Sequence, residues 1–251
     1  MNQPLQGKHA IITGGGTGIG AAIADKLTEL GANVTLMGRR LDVLDKKASE
    51  LSGARAITVD VSNEESVKQA FDEAGDYDIL INNAGFAESA PANRTSLDHW
   101  EKTISINLTG VFLCSKHAVD MLRKKSYGRI ITIASTAGLT GYGYVSAYCA
   151  AKHGAIGFTK SLALEMARTS TTVNAVCPGY TETAILSDTI ANIVGKTGCS
   201  EEQAKEQLLA DNPQKKFIQP NEVANITAAL CFTESNSITG QAIAVDGGET
   251  A

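Results

Sequence analysis

Residues 9–20 read HAIITGGGTGIG, a short apolar run that breaks into glycines before an amphipathic stretch, AAIADKLTEL (21–30). The run 9–14 has the length and branched side chains of a strand, and the stretch after it sets Ala, Ile and Leu at helical spacing. Joining the two through glycines implies a turn where φ turns positive or where the backbone must approach something closely. At such a turn the unpaired N–H groups of the helix N-terminus cradle a phosphate, and a Cβ would hold that phosphate away. The spacing, Gly14 then Gly18 then Gly20, departs from the common GxGxxG fingerprint, but its place between a first strand and a first helix predicts a nucleotide-binding βα unit.

The pattern repeats along the chain. Further strands are expected at 33–38, 54–61, 78–85, 128–135, 171–179 and 241–248, with amphipathic stretches at 41–51 and 64–74 among them. Several runs are continuously apolar, as in strands buried on both faces. Alternation of this kind predicts right-handed βαβ crossovers and a seven-stranded parallel sheet flanked by helices on both faces, an α/β doubly wound fold. No linker or repeat divides residues 1–251, so one domain is expected, with a helical lid inserted at about 182–216 after the sixth strand.

Composition narrows the function. The 251 residues are 43% apolar and carry a net charge of −5, with no basic excess to favour nucleic acid or an anionic membrane. No apolar run reaches the roughly 18–20 residues that cross a bilayer, and MNQPLQGKH lacks the layout of a signal peptide. Cysteines 114, 149, 177, 199 and 231 are odd in number and form no CxxC, which fits a reducing cytoplasm. Histidines 9, 99, 117 and 153 show no metal-ligand spacing, so no metal is expected.

Taken together, TGxxxGxG at 13–20, Asn82-Asn83-Ala84-Gly85, Ser135, Tyr148-x3-Lys152 and Pro178-Gly179 resemble the classical short-chain dehydrogenase/reductases over nearly the whole chain. The overall pattern is similar to the 3-oxoacyl-thioester reductase and 3-hydroxybutyrate dehydrogenase branches. That resemblance implies a Rossmann-type domain moving a hydride between NAD(P) and an alcohol or ketone carbon, as a homotetramer. It also implies cofactor contacts at Gly14, Thr17, Gly18, Ile19, Gly20, Arg39, Asp60, Val61, Asn83, Ala84, Gly85, Tyr148, Lys152, Pro178, Gly179, Thr181 and Thr183. Asn107 falls where the family carries a fourth catalytic residue, one that helps hold a proton-relaying water. Tetramer contacts are expected through 111–122 and 158–166, whose apolar content core burial would equally explain.

Reducing a ketone requires a proton donor for the developing alkoxide, and Tyr148 is suited to that role only if its environment adjusts a pKa near 10. Lys152 stands four residues on, on the same helical face, and its ammonium, together with the positive charge of the oxidised nicotinamide, is expected to lower the phenol's pKa. Ser135 ends the fifth strand, where its hydroxyl stabilises charge on the substrate oxygen. The plain alternatives are a surface Tyr–Lys pair and a serine that merely caps a turn. A non-catalytic nucleotide sensor of the same fold would be marked by loss of Ser, Tyr or Lys, and all three are present.

The substrate is expected between Tyr148, the 136–146 loop and the lid, with Leu139, Tyr142, Tyr144 and Tyr180 as walls suited to an acyl or alicyclic carbonyl. Lys215 and Lys216 read either as a solvated turn or as contacts to an acyl-carrier phosphate. At the other end, VTLMGRR (34–40) puts Gly38 where an acid would grip the ribose of NAD, 18 residues after Gly20. Glycine leaves room there for a 2′-phosphate, and Arg39 offers a planar fork to it. In the resembling family an arginine here usually goes with NADP. Asp42 as a displaced acid would point to NAD instead, and Thr17 stands where the family often has a basic residue. The expected function is NADP(H)-dependent interconversion of a ketone and a secondary alcohol, a 3-oxoacyl thioester or related small carbonyl. The alternative is NAD-dependent oxidation of a free hydroxy acid.

Overall fold

A computed structural model describes residues 3–251. The first half alternates strictly: β1 (His9–Thr13), α1 (Gly18–Glu29), β2 (Asn33–Gly38), α2 (Leu41–Ser49), β3 (Arg55–Thr58), α3 (Glu64–Ala74) and β4 (Ile79–Asn82). Then come α4 (Leu97–Ile104), a π-helical turn at Ser105–Thr109, α5 (Gly110–Leu122), β5 (Gly128–Ile133), α6 (Ser146–Met166) and β6 (Thr171–Pro178). The chain continues through α7 (Ala184–Thr197), α8 (Glu201–Leu208), α9 (Pro220–Cys231) and β7 (Ala242–Val245).

The strands form one parallel sheet in the order β3-β2-β1-β4-β5-β6-β7. Winding reverses between β1 and β4, so the loops after those strands part and leave a crevice beyond their carboxyl ends. Neighbouring strand residues serve opposite faces. Ile12, Leu36, Ile81 and Ile131 pack with Ile23 and Leu27 of α1 and Val223 and Ala228 of α9. Ile11, Met37, Leu80 and Ile130 pack with Phe71 of α3, Leu113 of α5 and Leu162 and Met166 of α6. Burial of each such side chain stabilises by about 1.5–3 kcal/mol, and the two-sided demand is what makes these strands read as unbroken apolar runs.

Most strands are shorter than their sequence runs, β3, β4 and β7 by the most. After Thr58, Val59 still donates to the Gly38 carbonyl at 2.9 Å. Asp60 then turns the chain, its N–H bonded to Ser66 Oγ at 3.0 Å and its Oδ1 accepting from Ser62. After Val245, Gly247 and Gly248 take φ of 67° and 89°, incompatible with a strand. The insertion after β6 is two helices. Gly198, with φ 73°, ends α7 in the left-handed region, and a Ser200–Gln203 capping box starts α8. Leu186, Ile190 and Ala204 give this pair a small core of its own, with Tyr180 and Phe217 against it. No helix among the described residues is long and apolar enough to cross a membrane.

Candidate active site

The glycine turn is held from two sides. Thr13 Oγ1 accepts the N–H groups of Asn83 and Ala84 at 3.0 and 3.1 Å, and Asn83 Nδ2 donates to the carbonyls of Thr13 and Gly14, both at 3.0 Å. Gly14 and Gly18 have φ of 64° and 56°. A Cβ on Gly20 would stand 2.2 Å from the Gly14 oxygen, so no side chain fits there. Thr17 begins α1 without capping it, and the first turn holds no acid, which leaves the helix N-terminus open to a ligand phosphate. A Cβ on Gly18 would meet Thr183 Cγ2 at 3.1 Å, so the start of α7 faces the turn across the crevice.

Over this floor lies a cleft of about 640 Å³. Its lining includes Gly14, Thr17, Gly18, Ile19, Arg39, Asp60, Val61, Asn83, Ala84, Gly85, Ser135, Tyr148, Lys152, Pro178, Gly179, Thr181 and Thr183. Ser135 Oγ accepts the Ala137 N–H at 3.1 Å, so it does cap a turn, and its hydroxyl also hydrogen-bonds Tyr148 at the cleft. Lys152 is buried and donates from Nζ to the Ile133 carbonyl at 2.9 Å, with the ammonium 5.5 Å from the Tyr148 ring centre.

In the protein alone, burial dominates at the Tyr148–Lys152 pair. Burial pushes the Tyr148 hydroxyl up to about 12, with the Ser135 hydrogen bond pulling the other way, and burial pushes Lys152 down to about 8. Desolvation is the largest influence on both groups.

Gly20 and Asn107 stand behind the cleft wall. Asn107 is fully buried in the π-helical turn; Oδ1 accepts the Phe86 N–H at 3.2 Å, and Nδ2 donates to the Phe86 and Thr103 carbonyls at 2.8 and 3.0 Å. A Cβ on Gly85 would lie 3.2 Å from Asn107 Oδ1 and 3.9 Å from Lys152 Nζ, so both groups converge on the space that this glycine leaves.

At the far end Arg39 and Arg40 are exposed, line the cleft, and form no ion pair among the described residues. A Cβ on Gly38 would touch only Leu44, at ordinary contact distance. Asp60 beside them is held below the usual carboxylate range, mainly by hydrogen bonds from Ser62, with Arg39 adding a smaller pull. Asp42 lies in the first turn of α2 and does not reach the lining.

At the substrate end Tyr142 and Tyr180 line the cleft and meet edge-on at 6.2 Å. Leu139 and Tyr144, expected as walls, do not line it. Tyr144 takes φ 66°, uses its carbonyl to accept the Ala90 N–H at 2.8 Å, and leaves its side chain 70% exposed. Leu139 closes the 3₁₀ turn Thr136–Gly138 and faces outward. Lys215 donates to the Leu209 and Ala210 carbonyls at the end of α8, and Lys216 pairs with Glu222 at 3.4 Å, so both lysines are engaged in their own turn. Asn192 and Lys196 of α7 line the cleft and bind Ser89, Nδ2 to Oγ at 2.8 Å and Nζ to the carbonyl at 3.2 Å. Sequence reasoning missed these, and missed Arg40; of the set, only Arg40 carried a signal, as the neighbour of Arg39.

The sequence model of the short chain dehydrogenase family matches residues 8–193. The chain is 37% identical to a D-beta-hydroxybutyrate dehydrogenase of Rhizobium meliloti, over 97% of this chain and 99% of the relative. A crystal structure of a variant actinorhodin polyketide ketoreductase with NADPH superposes with a TM-score of 0.91 at 34% identity, covering 100% of this chain and 99% of that one. A 3-ketoacyl-(acyl-carrier-protein) reductase from Brucella melitensis, complexed with NADH, gives 0.90 at 28% identity, covering 98% and 100%.

Proposed function

The chain belongs to the short-chain dehydrogenase family, oxidoreductases of hydroxyl and keto groups, and we propose that it is an NADP(H)-dependent reductase of a 3-oxoacyl thioester or related small ketone. What carries this reading is Ser135, Tyr148 and Lys152 gathered in one cleft with a phosphate cradle at its floor. The cradle fits a dinucleotide, since Gly14 and Gly18 hold a positive-φ turn open at the cleft floor, Gly20 packs directly beneath it on the Gly14 carbonyl, and α1 presents an uncapped N-terminus. Gly14 to Gly20 would hold the diphosphate, Asp60 and Val61 the adenine, Asn83 to Gly85 the ribose, and Pro178, Gly179, Thr181 and Thr183 the nicotinamide. When bound, the nicotinamide supplies the hydride.

The protein's own groups handle the proton. A phenol buried enough to titrate at about 12 stays protonated at neutral pH, so Tyr148 gives its proton to the substrate oxygen as charge builds there. Ser135 donates its one O–H to the same oxygen while its Oγ accepts from the Ala137 N–H. Lys152 steadies the phenolate left behind, and the space that Gly85 leaves between Asn107 Oδ1 and Lys152 Nζ would admit a water to return the proton. Arg39 and Arg40 meet a 2′-phosphate beside Gly38. A second reading, oxidation of a free hydroxy acid with NAD, is favoured by Lys196, a cation in the cleft lining where a substrate carboxylate would sit. A homotetramer would cover Phe112 of α5 and Leu164 of α6, which are 43% and 80% exposed.

Purified protein incubated with a panel of 3-oxoacyl thioesters, cyclic ketones and, in reverse, hydroxybutyrate should consume NADPH with a ketone. Arg39→Ala should cut the NADPH-over-NADH ratio of kcat/KM by about 10- to 100-fold, the worth of a charge-assisted hydrogen bond. A wild-type preference for NADH would overturn the cofactor assignment, and no turnover of any ketone or alcohol would overturn the function.

A further inference from the structure

Glu249 lies in the turn after β7, far in sequence from the catalytic residues, yet its carboxylate stands behind the substrate wall. Oε1 accepts the hydroxyl of Tyr142. Oε2 is buried without a partner and lies so close to the Pro178–Gly179 turn that a Cβ on Gly179 would come within 3.2 Å of it. Tyr142 in turn meets the edge of Tyr180, and both rings line the cleft.

The turn carrying Glu249 is built to stay still. Asp246 Oδ1 accepts the Gly248 N–H at 2.9 Å, and Oδ2 accepts the N–H and hydroxyl of Thr250 at 2.9 and 2.6 Å. The Asp246 carbonyl accepts Asn212 Nδ2 at 2.8 Å, which ties the turn to the segment after α8. The loop carrying Tyr142 is the opposite case. Gly141 and Gly143 flank it, and a Cβ on either would meet nothing within 4 Å. With no side chains at these glycines to pack around it, the Tyr142 ring is placed by its own contacts, chief among them the edge of Tyr180 and the hydrogen bond it donates to this rigid acceptor.

We infer that Glu249 is a positioning residue for substrate selection: its carboxylate holds Tyr142 against Tyr180, narrows the substrate end of the cleft, and favours compact carbonyl substrates over bulky ones. The selectivity part rests on the reading of the cleft as a ketone reductase, whereas the positioning part does not. The test uses the full chain labelled with 3-fluorotyrosine, with the Tyr142 fluorine resonance identified by its loss in Tyr142→Phe. Glu249→Ala should move that resonance to the position of a mobile, solvated tyrosine, and Glu249→Gln, which keeps an acceptor oxygen, should leave it near its wild-type place. In kinetics, Glu249→Ala should lower the preference for a small over a bulky ketone by about five-fold, with kcat for the small ketone within about two-fold of wild type. Glu249→Gln should restore the preference. If Glu249→Ala fails to fold, Tyr142→Phe removes the same bond from its other partner and should show the same loss of preference. A Tyr142 resonance unmoved in Glu249→Ala, or a Gln variant that behaves as the Ala variant does, overturns the inference. Wild-type protein that reduces no ketone overturns the proposed function instead, and the fluorine resonance still decides the positioning.

Discussion

Across the cleft, glycines do opposite jobs. At the β1–α1 turn a Cβ on Gly20 would collide with the Gly14 carbonyl at 2.2 Å and with Asn83 Nδ2 at 2.5 Å, while at Gly141 and Gly143 a Cβ would meet nothing. The cofactor side is therefore fixed by backbone against backbone, with Thr13 and Asn83 as cross-braces. The substrate side is fixed by a few side-chain bonds between distant segments: Tyr142 to Glu249, and Asn192 and Lys196 to Ser89. Backbone constraint tolerates no variation, whereas side-chain latches can be exchanged one at a time. One fold can thus keep its hydride chemistry while its substrate varies.

The sharpest way to break this contrast is Gly20→Ala. It should destabilise the fold by about 1–3 kcal/mol in thermal or denaturant unfolding and abolish saturable binding in a cofactor fluorescence titration. Normal binding by that variant would mean the turn yields more than its geometry indicates. A smaller effect concerns pH. Lys152 keeps its charge below about 8 and Tyr148 keeps its proton to about 12. The kcat/KM for ketone reduction should therefore stay level to about pH 8 and decline above it as the ammonium is lost. A rate still climbing at about pH 9 would show that the ammonium is not required. Smallest is Asn192→Ala, which should raise KM for the ketone about three-fold by freeing α7 from Ser89, with kcat and the unfolding midpoint almost unchanged.

The same contrast explains what could be read from the sequence. Strands, crossovers and the glycine turn are local patterns, and the alternation of Ile11 and Ile12 between two cores follows directly from strand geometry. Tyr148 and Lys152 were picked out by the resemblance to the family, and helical spacing accounts only for their sharing a face. Leu139 and Tyr144 were misplaced because nearness in sequence to Tyr148 does not say which way an irregular loop points its side chains. In the protein alone the Tyr148 hydroxyl stands above its ordinary pKa because burial is set by the assembled fold, and spacing along one helix does not reveal it. Tyr142–Glu249 and Ser89–Asn192 lie 107 and 103 residues apart, with no motif linking them.

The central claim is that Tyr148 is the proton donor of a ketone reductase. It is tested most directly by following NADPH absorbance in a single turnover with a reactive ketone, for wild type and Tyr148→Phe side by side. The account predicts hydride transfer slowed by about 10²- to 10⁴-fold in the variant, with cofactor affinity retained. Transfer at the wild-type rate in Tyr148→Phe would contradict it.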